Sequence, residues 1–410
     1  MRQPRTFYIT LSFLFLLGCK GNPGTEPNTP DPSSGDTNVL WLHTEGARIV
    51  DSAGEIKILR GVNRSGLEYD KTGSGISESE IGFICKVWKA EIIRIPFNQD
   101  WVMRDPNYVS LLDRVVGWIA KQGAYALLDL QWRNTMIQIP PIPDEEAVDM
   151  WKMLAVRYRE NPAVLYDIHN EAHDVPWTDW RSRASEIIEG IRLVHPDALV
   201  FVSGLDWAYD LRGWEQEPLP YPNVVYSTHP YPFKGEPWAW DKYFGNLSAR
   251  LPVFAGEFGG GTADLEWGRQ LLAYFDAKGL GWTAWSWVDN PRLTQDDRQT
   301  PTEFGLLVKD ALAIHSGGQP HILNLWDVQV IGIDRDKATI QWRTDSSSDS
   351  KVWYGTAALT DSVYVPAMLQ SHTVKLIGLS AGTSYLFRAG SRDSYGVTDV
   401  SRDSTFTTLP

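Results

Sequence analysis

The chain has 410 residues, of which 22% are charged and 12% are aromatic, and its formal net charge is -13. This length exceeds that of one small domain and suffices for a barrel with an appendage. The acidic balance, without a long run of Lys or Arg, argues against nucleic acid as a partner. Tryptophan occurs 19 times, more often than core packing usually requires, and flat sugar faces are natural partners for the surplus.

The N-terminus has the pattern of a bacterial export signal. Arg2 and Arg5 form a basic start, and residues 7–17 are an apolar run that is too short to span a bilayer as a mature helix. The run closes on Leu-Leu-Gly-Cys, which resembles a bacterial lipobox. The resemblance implies removal of residues 1–18 and lipidation of Cys19. Ordinary secretory cleavage nearby is the alternative.

Residues 19–38 predict a tether that begins with the lipidated cysteine. They are rich in Gly, Pro, Ser, Thr, Asn and Asp, and such a segment cannot bury enough apolar surface to order itself. Several acyl chains on Cys19, at roughly 0.8 kcal/mol per buried methylene, would anchor the protein firmly. Lys20 favours the outer membrane by the same resemblance. We therefore expect a lipid-anchored protein of the bacterial cell envelope, or else a secreted one.

The second cysteine, Cys85, has no partner if Cys19 carries lipid, so we expect no disulfide framework. Its segment, residues 81–88, has helical spacing of apolar residues. We interpret Cys85 as a small buried hydrophobe and not as a nucleophile.

Residues 39–316 alternate between short apolar runs and longer helical patterns. This alternation implies a parallel sheet, and eight units in this length fit a (β/α)₈ TIM barrel better than an open sheet. An extra hairpin over residues 48–58, turning at residues 52–54, is expected to plug the barrel floor. The predicted strands are Ile58–Asn63, Glu91–Phe97, Ala124–Leu130, Val164–His169, Leu199–Ser203, Val224–Thr228, Pro252–Glu257 and Gly281–Trp287. The predicted helices include Ser77–Lys89, Tyr108–Gln122, Asp144–Arg159 and Trp177–Val194.

Residues 321–410 predict a second domain. Ala338–Trp342 and His372–Leu376 alternate between apolar and polar residues, turn residues recur, and no pattern of helical length occurs. These features indicate a small all-β, immunoglobulin-like sandwich. Residues 378–389 resemble the E–F corner of fibronectin type III domains. Because the segment shows no clear aromatic row, we interpret it as a spacer or stabilising module.

Two glutamates end predicted buried strands in the barrel. Glu171 closes the run 164–171, and Glu257 lies near the end of the run 252–259. A carboxylate at such a position costs desolvation free energy unless something compensates for it. Function in barrels of this kind lies at the C-terminal ends of the strands. The two exits therefore predict a paired-carboxylate active site, as in glycosidases.

Six motifs in strand order resemble glycoside hydrolase family 5 of the clan A barrels, and together they span residues 48–308. They are Leu59–Gly66, Ile93–Asn98, Asn170–His173, Ser227–Tyr231, Ala255–Gly259 and Ala284–Trp287. The resemblance implies a retaining endo-β-1,4-glycanase, with an endoglucanase as the first expectation and a β-mannanase or xyloglucanase as rivals. A non-catalytic glycan-binding surface lipoprotein is the alternative from another class.

The resemblance also implies the catalytic roles. Glu257 would attack the anomeric carbon, while Glu171 would protonate the leaving oxygen and then activate water. We expect the ionised Glu257 to raise the pKa of Glu171. Arg94 would hold Glu257 ionised and oriented, because a guanidinium stays charged and offers a rigid fork of donors.

The same match supplies substrate-binding residues. Asn170 would bind the sugar 2-hydroxyl, and Trp285 would stack under the sugar. His229 would neighbour the acid and Tyr231 the nucleophile. Loop tryptophans could extend the stacking platform: Trp132, Trp177, Trp207, Trp238 and Trp240.

One residue departs from the family pattern, which has His where this chain has Gln131. Glutamine can donate a hydrogen bond to a hydroxyl but cannot carry a proton, so substrate positioning is affected more than the chemistry. The eight histidines are scattered along the chain, and no metal cluster among them is convincing. We expect no metal and no cofactor, and a monomer that binds β-linked polysaccharide or oligosaccharide.

Overall fold

The structure is a computed structural model and describes residues 39–317, 322–393 and 397–410. The predicted signal peptide, Cys19 and the tether lie outside the described residues, as does His321 at the predicted start of the sandwich. No helix in the described ranges has both the length and the apolar character needed to cross a bilayer.

Eight parallel strands close into a barrel behind an N-terminal hairpin. In chain order the strands are β1 (Leu42–Glu45), β2 (Arg48–Asp51), β3 (Arg60–Asn63), β4 (Ile92–Asn98), β5 (Tyr125–Trp132), β6 (Val164–Asp167), β7 (Val200–Ser203), β8 (Val224–Thr228), β9 (Val253–Ala255) and β10 (Gly281–Ala284). The barrel order is β10-β3-β4-β5-β6-β7-β8-β9. The predicted TIM barrel is therefore confirmed.

Helices follow the strands. They are α1 (Glu78–Lys86), α2 (Gln99–Arg104), α3 (Pro106–Lys121), α4 (Glu145–Tyr158), α5 (Trp177–Arg192), α6 (Arg212–Gln216), α7 (Leu265–Lys278) and α8 (Glu303–His315). Local sequence sets several starts, because Ser77 and Asp144 accept hydrogen bonds from backbone N–H groups of the first turn. The loop from β8 to β9 contains only short 3₁₀ and π turns, between residues 232 and 249.

The barrel floor is apolar and is closed by the hairpin. Side chains at the N-terminal ends of the strands, such as Leu127 and Phe201, cluster with Leu42 and Ile49 of the hairpin. The hairpin lies earlier than predicted, since β1 pairs with β2 across Gly46, whose φ is 58°. In the predicted arm of residues 48–58, pairing is limited to a bridge between Val50 and Ile56.

One level higher, the interior becomes polar. Alternation along a strand points every second side chain inward, and the next inward positions carry buried polar groups. They include Asn63, Arg94, Asp129, Asp167, Ser203, Ser227 and Thr283. This layer lies beneath the C-terminal mouth of the barrel, where the predicted functional residues occur.

The C-terminal region is all-β and sandwich-like, as predicted. Its strands are β11 (Leu325–Ile333), β12 (Lys337–Gly355), β13 (Asp361–Ile377), β14 (Ser384–Arg392), β15 (Thr398–Val400) and β16 (Ser404–Thr407). The first half of β12 pairs with β11 and the end of β13, and its second half pairs with the start of β13 and with β14. The Tyr385 hydroxyl accepts a hydrogen bond from the Ser380 backbone N–H at 2.9 Å. Arg392 forms a 2.7 Å ion pair with Glu303 of α8.

Cys85 lies on α1 and is half-buried, so it is more exposed than predicted. Burial raises the pKa of its thiol to about 12. It therefore stays a protonated thiol at neutral pH, which agrees with the packing role and not with a nucleophilic one.

Candidate active site

Arg94 is the centre of the polar layer and is fully buried. Its Nη1 donates to Glu257 Oε1 at 2.7 Å and to Asn63 Oδ1 at 3.0 Å. Its Nη2 donates to Asn170 Oδ1 at 3.0 Å. A planar guanidinium holds several acceptors in a fixed geometry, which a lysine cannot do. Arg94 thus fixes Glu257 and Asn170 relative to one another.

Two buried aspartates that sequence reasoning missed occupy the remaining donors of Arg94. Its Nε donates to Asp167 Oδ2 at 2.8 Å, and its Nη2 lies 2.9 Å from Asp129 Oδ1. Burial raises the pKa of Asp167 to about 6 and raises that of Asp129 well above its usual range, against the opposing charge of Arg94. Together with Glu257, three carboxylates share one guanidinium.

Glu257 lies just beyond β9, and both of its carboxylate oxygens have partners. Arg94 contacts Oε1, and the Tyr231 hydroxyl donates to Oε2 at 2.9 Å. The side chain is only 4% exposed. Burial raises the pKa of Glu257, while the charge of Arg94 and the hydrogen bond from Tyr231 act in the opposite direction. The carboxylate is thereby held in one orientation.

Glu171 lies beyond β6 and is 14% exposed. Its Oε1 lies 3.1 Å from His229 Nδ1. Burial raises the pKa of Glu171 to about 7, and the charges of Arg94 and Lys234 oppose this rise. The direction agrees with the expectation, but the main cause is loss of hydration, and the repulsion between the two glutamates instead contributes to the raised pKa of Glu257. A large fraction of Glu171 is therefore protonated at neutral pH.

His229, at the exit of β8, is fully buried between the two glutamates. Burial lowers the pKa of its imidazole to about 3, so the ring is neutral. One ligand atom each from Glu171, His229 and Glu257 lies within 4.8 Å of the others. These donor types could also hold a divalent metal, but each side chain already has a protein partner. Gly256 permits the close approach, since a Cβ there would lie 2.7 Å from His229 Nε2.

Several buried polar atoms near the glutamates have no hydrogen-bond partner among the described residues. They include Gln131 Oε1, Asn170 Nδ2, His229 Nε2 and Ser227 Oγ. Gln131 is 5% exposed and is the penultimate residue of β5. Buried polar groups are normally satisfied, so the unmet acceptor of Gln131 and the unmet donor of Asn170 mark places where a polar ligand or a water molecule would complete the hydrogen bonding.

The predicted aromatic residues divide into two groups. Trp285 and Trp132 are half-buried at the mouth, where the Trp285 indole donates to the Asn290 carbonyl at 3.1 Å. Trp207 is 39% exposed and Trp238 is 80% exposed. These four tryptophans can present ring surface to a ligand.

Two of the loop tryptophans pack against other tryptophans instead. Trp240 is 2% exposed and contacts Trp267, so its predicted platform role is wrong. Trp177 is half-buried with its ring 4.1 Å from that of Trp214. Sequence reasoning missed Phe233, which is 79% exposed and stacks on Tyr231 at 5.5 Å.

Comparisons with known proteins agree with this fold. A curated endoglucanase from Paenibacillus polymyxa is 29% identical over 352 residues, which cover 69% of this chain and 87% of the relative. Endoglucanase N from Pectobacterium atrosepticum is 26% identical over 258 residues, and the match spans 57% of its length and 60% of this chain. The solved structure of the β-glucanase SdGluc5_26A from Saccharophagus degradans has a TM-score of 0.63 at 23% identity and covers 71% of this chain and 98% of its own.

The family model for cellulase, glycosyl hydrolase family 5, matches residues 50–291. This range is more than half of the chain. It contains both glutamates, Arg94 and every polar residue that surrounds them. The chain therefore belongs to glycosyl hydrolase family 5, the cellulase family.

Proposed function

We propose that this protein is a retaining endo-β-1,4-glycanase that acts on β-glucan. The observation that supports retention is the short separation of Glu171 and Glu257, whose nearest carboxylate oxygens fall within 4.8 Å. Retaining enzymes hold these groups about 5–5.5 Å apart, whereas inverting enzymes need about 6.5–9.5 Å to admit water between carboxylate and sugar. The arrangement favours direct attack by a carboxylate.

In the first step Glu257 attacks the anomeric carbon, the bond from that carbon to the leaving oxygen breaks, and Glu171 gives its proton to that oxygen. In the second step Glu171 takes a proton from water, the water oxygen attacks the same carbon, and the ester to Glu257 breaks. Arg94 and Tyr231 hold Glu257 in place during both steps. Asn170 Nδ2 is free to donate to a sugar hydroxyl because Oδ1 of the same side chain binds Arg94.

The names of the relatives favour β-1,4-glucan as the substrate, since both curated proteins are endoglucanases. β-Mannan and xyloglucan remain rival substrates because loop shape decides between them. The test is a panel of purified β-glucans, mannans and xylans with sizing of the products. We expect internal cleavage of β-1,4-glucan with retention of anomeric configuration. Cleavage of mannan alone, or an inverted product, would contradict the proposal.

A glycan-binding lipoprotein without turnover is the second candidate, and Gln131 is the feature that favours it. Gln131→His is expected to keep or raise kcat/KM on the β-glucan that the wild type cleaves, because an imidazole can donate to the same hydroxyl and Glu171 and Glu257 are untouched. Initial rates on that glucan measure the effect, with Gln270→His on the exposed face of α7 as the matched control. A large loss would show that Gln131 serves a different substrate geometry.

We also propose that Cys19 carries lipid and that residues 19–38 tether the catalytic barrel, residues 39–316, to the bacterial envelope. Residues 321–410 would form a separate domain of the fibronectin type III kind. The hydrogen bond to the Tyr385 hydroxyl from Ser380 resembles the tyrosine corner of such sandwiches and supports this view. Metabolic labelling with a radioactive fatty acid tests the anchor, and Cys19→Ser must abolish the label. We expect a monomer, which light scattering of the protein without its anchor can check.

A further inference from the structure

Four neighbouring loops at the mouth of the barrel are linked by side-chain and backbone contacts, and one of these loops carries Glu171. The loop after β6 meets the loop after β5 where the His173 N–H donates to the Pro141 carbonyl at 3.1 Å. The His173 ring stacks on Trp207, after β7, at 4.8 Å and 10°. Lys234, after β8, places its Nζ 4.8 Å from the Trp207 ring. Pro141, His173, Trp207 and Lys234 form what we call the four-loop chain.

The loop that carries Trp207 is backbone-strained. Asp206, Trp207 and Ala208 have φ values of 57°, 54° and 61°, and non-glycine residues seldom occupy this left-handed region consecutively. The Trp207 N–H donates to the Ala172 carbonyl at 3.1 Å, directly beside Glu171. Strained residues persist only where the surroundings over-determine them, and they cluster at functional sites.

Lys234, on the neighbouring loop, holds this strained backbone in place. Its Nζ donates to the Asp206 carbonyl at 2.8 Å and to Asp206 Oδ1 at 3.0 Å. The Lys234 side chain is 14% exposed, whereas that of Asp206 is 51% exposed. Water therefore screens the Asp206 carboxylate more than it screens the Lys234 ammonium group.

The charged and titratable groups around Glu171 come from every side of the barrel mouth. They are Arg94 on β4, His173 on the same loop, His229 and Tyr231 after β8, Lys234 on the following turn and Glu257 after β9. Arg94 is already shared by three carboxylates, and His229 is neutral. Arg94 and Lys234 are the cations whose charge acts on Glu171, Arg94 the more strongly, and Lys234 is the one of the two that lies outside the buried carboxylate cluster.

We infer that Lys234 is a positioning residue that locks the strained Trp207 loop against the Glu171 loop and supplies a positive charge to Glu171. This inference rests on the proposed function, in which Glu171 must be neutral in the first step and ionised in the second. A nearby cation favours the ionised form, so it makes Glu171 a readier proton donor in the first step and keeps it ionised before the second. A tight loop on the leaving-group side keeps the departing sugar aligned with the Glu171 proton.

Three substitutions test the inference through the pH dependence of kcat/KM. Lys234→Met keeps the length and apolar stem but removes the charge, so the alkaline limb is expected to move up by about half to one pH unit. Lys234→Arg keeps the charge, so the alkaline limb of kcat/KM should stay at the pH of the wild type. Asp206→Asn tolerates the left-handed backbone but exposes the charge of Lys234, so the limb should move down.

A purely structural role for Lys234 would lower the melting temperature or kcat without moving the limb, and that result would overturn the inference. So would shifts of the same sign in Lys234→Met and Asp206→Asn. The charge of Lys234 alone predicts the expected pattern, in which the alkaline limb moves up in Lys234→Met, moves down in Asp206→Asn and stays in place in Lys234→Arg.

A second measurement does not depend on turnover. Titration of ¹³C-labelled glutamate carboxyls by NMR reports Glu171 directly, with its signal assigned by its loss in Glu171→Gln. If the wild type cleaves no glycan, the proposed function fails while this titration still decides the inference. We expect the Glu171 midpoint to be higher in Lys234→Met than in the wild type. An unchanged midpoint would refute the role of Lys234 in either case.

Discussion

Glu257→Ala is expected to lower kcat on β-glucan by about 10⁴- to 10⁶-fold, as removal of a nucleophile does in other covalent mechanisms. No other carboxylate can take its place, because Asp129 and Asp167 are fully buried below it and engaged with Arg94. The measurement is kcat on the preferred glucan, by reducing-end release.

The same substitution should leave the protein folded. Three buried carboxyl groups share Arg94, so removal of one brings the remaining negative charge closer to the single positive charge of Arg94. Arg94 Nη1 loses one acceptor but keeps Asn63. Thermal unfolding of Glu257→Ala and of Glu266→Ala, an exposed glutamate on α7, provides the comparison. Ordinary turnover by a folded Glu257→Ala protein would remove the nucleophile assignment.

The barrel could be predicted from sequence because its strands are short apolar runs, each bounded by polar residues. The ends of those runs also revealed Glu171 and Glu257, since a carboxylate directly after a buried strand is conspicuous. The N-terminal hairpin lies earlier in the chain than its sequence pattern predicts. Turns occur both at Gly46 and at residues 52–54. The sequence does not show which of the two turns joins the longer pair of hydrogen-bonded strands.

Asp129 and Asp167 could not be assigned to the site in the same way. Each lies between apolar neighbours inside a strand, so the signal existed, but its meaning depends on which face of the strand points into the barrel. The partner that makes their burial tolerable, Arg94, comes from a third strand. These contacts join three neighbouring strands, β4, β5 and β6, and the residue pattern of one strand does not contain them.

The cause of the high pKa of Glu171 could not be predicted from the sequence either. The expected cause was charge repulsion from Glu257, whereas burial dominates. Loop packing decides such burial, and it also hides Trp240 while leaving Trp238 exposed only two residues earlier. Loop composition predicts polarity and turns but not the depth of a particular side chain.

Glu171→Ala is expected to lower kcat/KM much more for substrates with a poor leaving group than for substrates with a good one. Polysaccharide, whose leaving alkoxide needs a proton, should lose about 10²- to 10⁴-fold in kcat/KM, the usual contribution of a general acid. An aryl glycoside with a strongly acidic phenol needs no such help in the first step and should lose much less. The measurement is kcat/KM on both substrates for the wild type and the variant.

The pH profile provides an independent test of the Glu171 assignment. Because Glu171 must be protonated in the free enzyme, and burial raises its pKa to about 7, wild-type kcat/KM should fall as pH rises through that value. In Glu171→Ala the activity that remains on the aryl glycoside should lack this alkaline limb. Equal losses on both substrates, or a limb that persists unchanged near pH 7, would show that another group donates the proton.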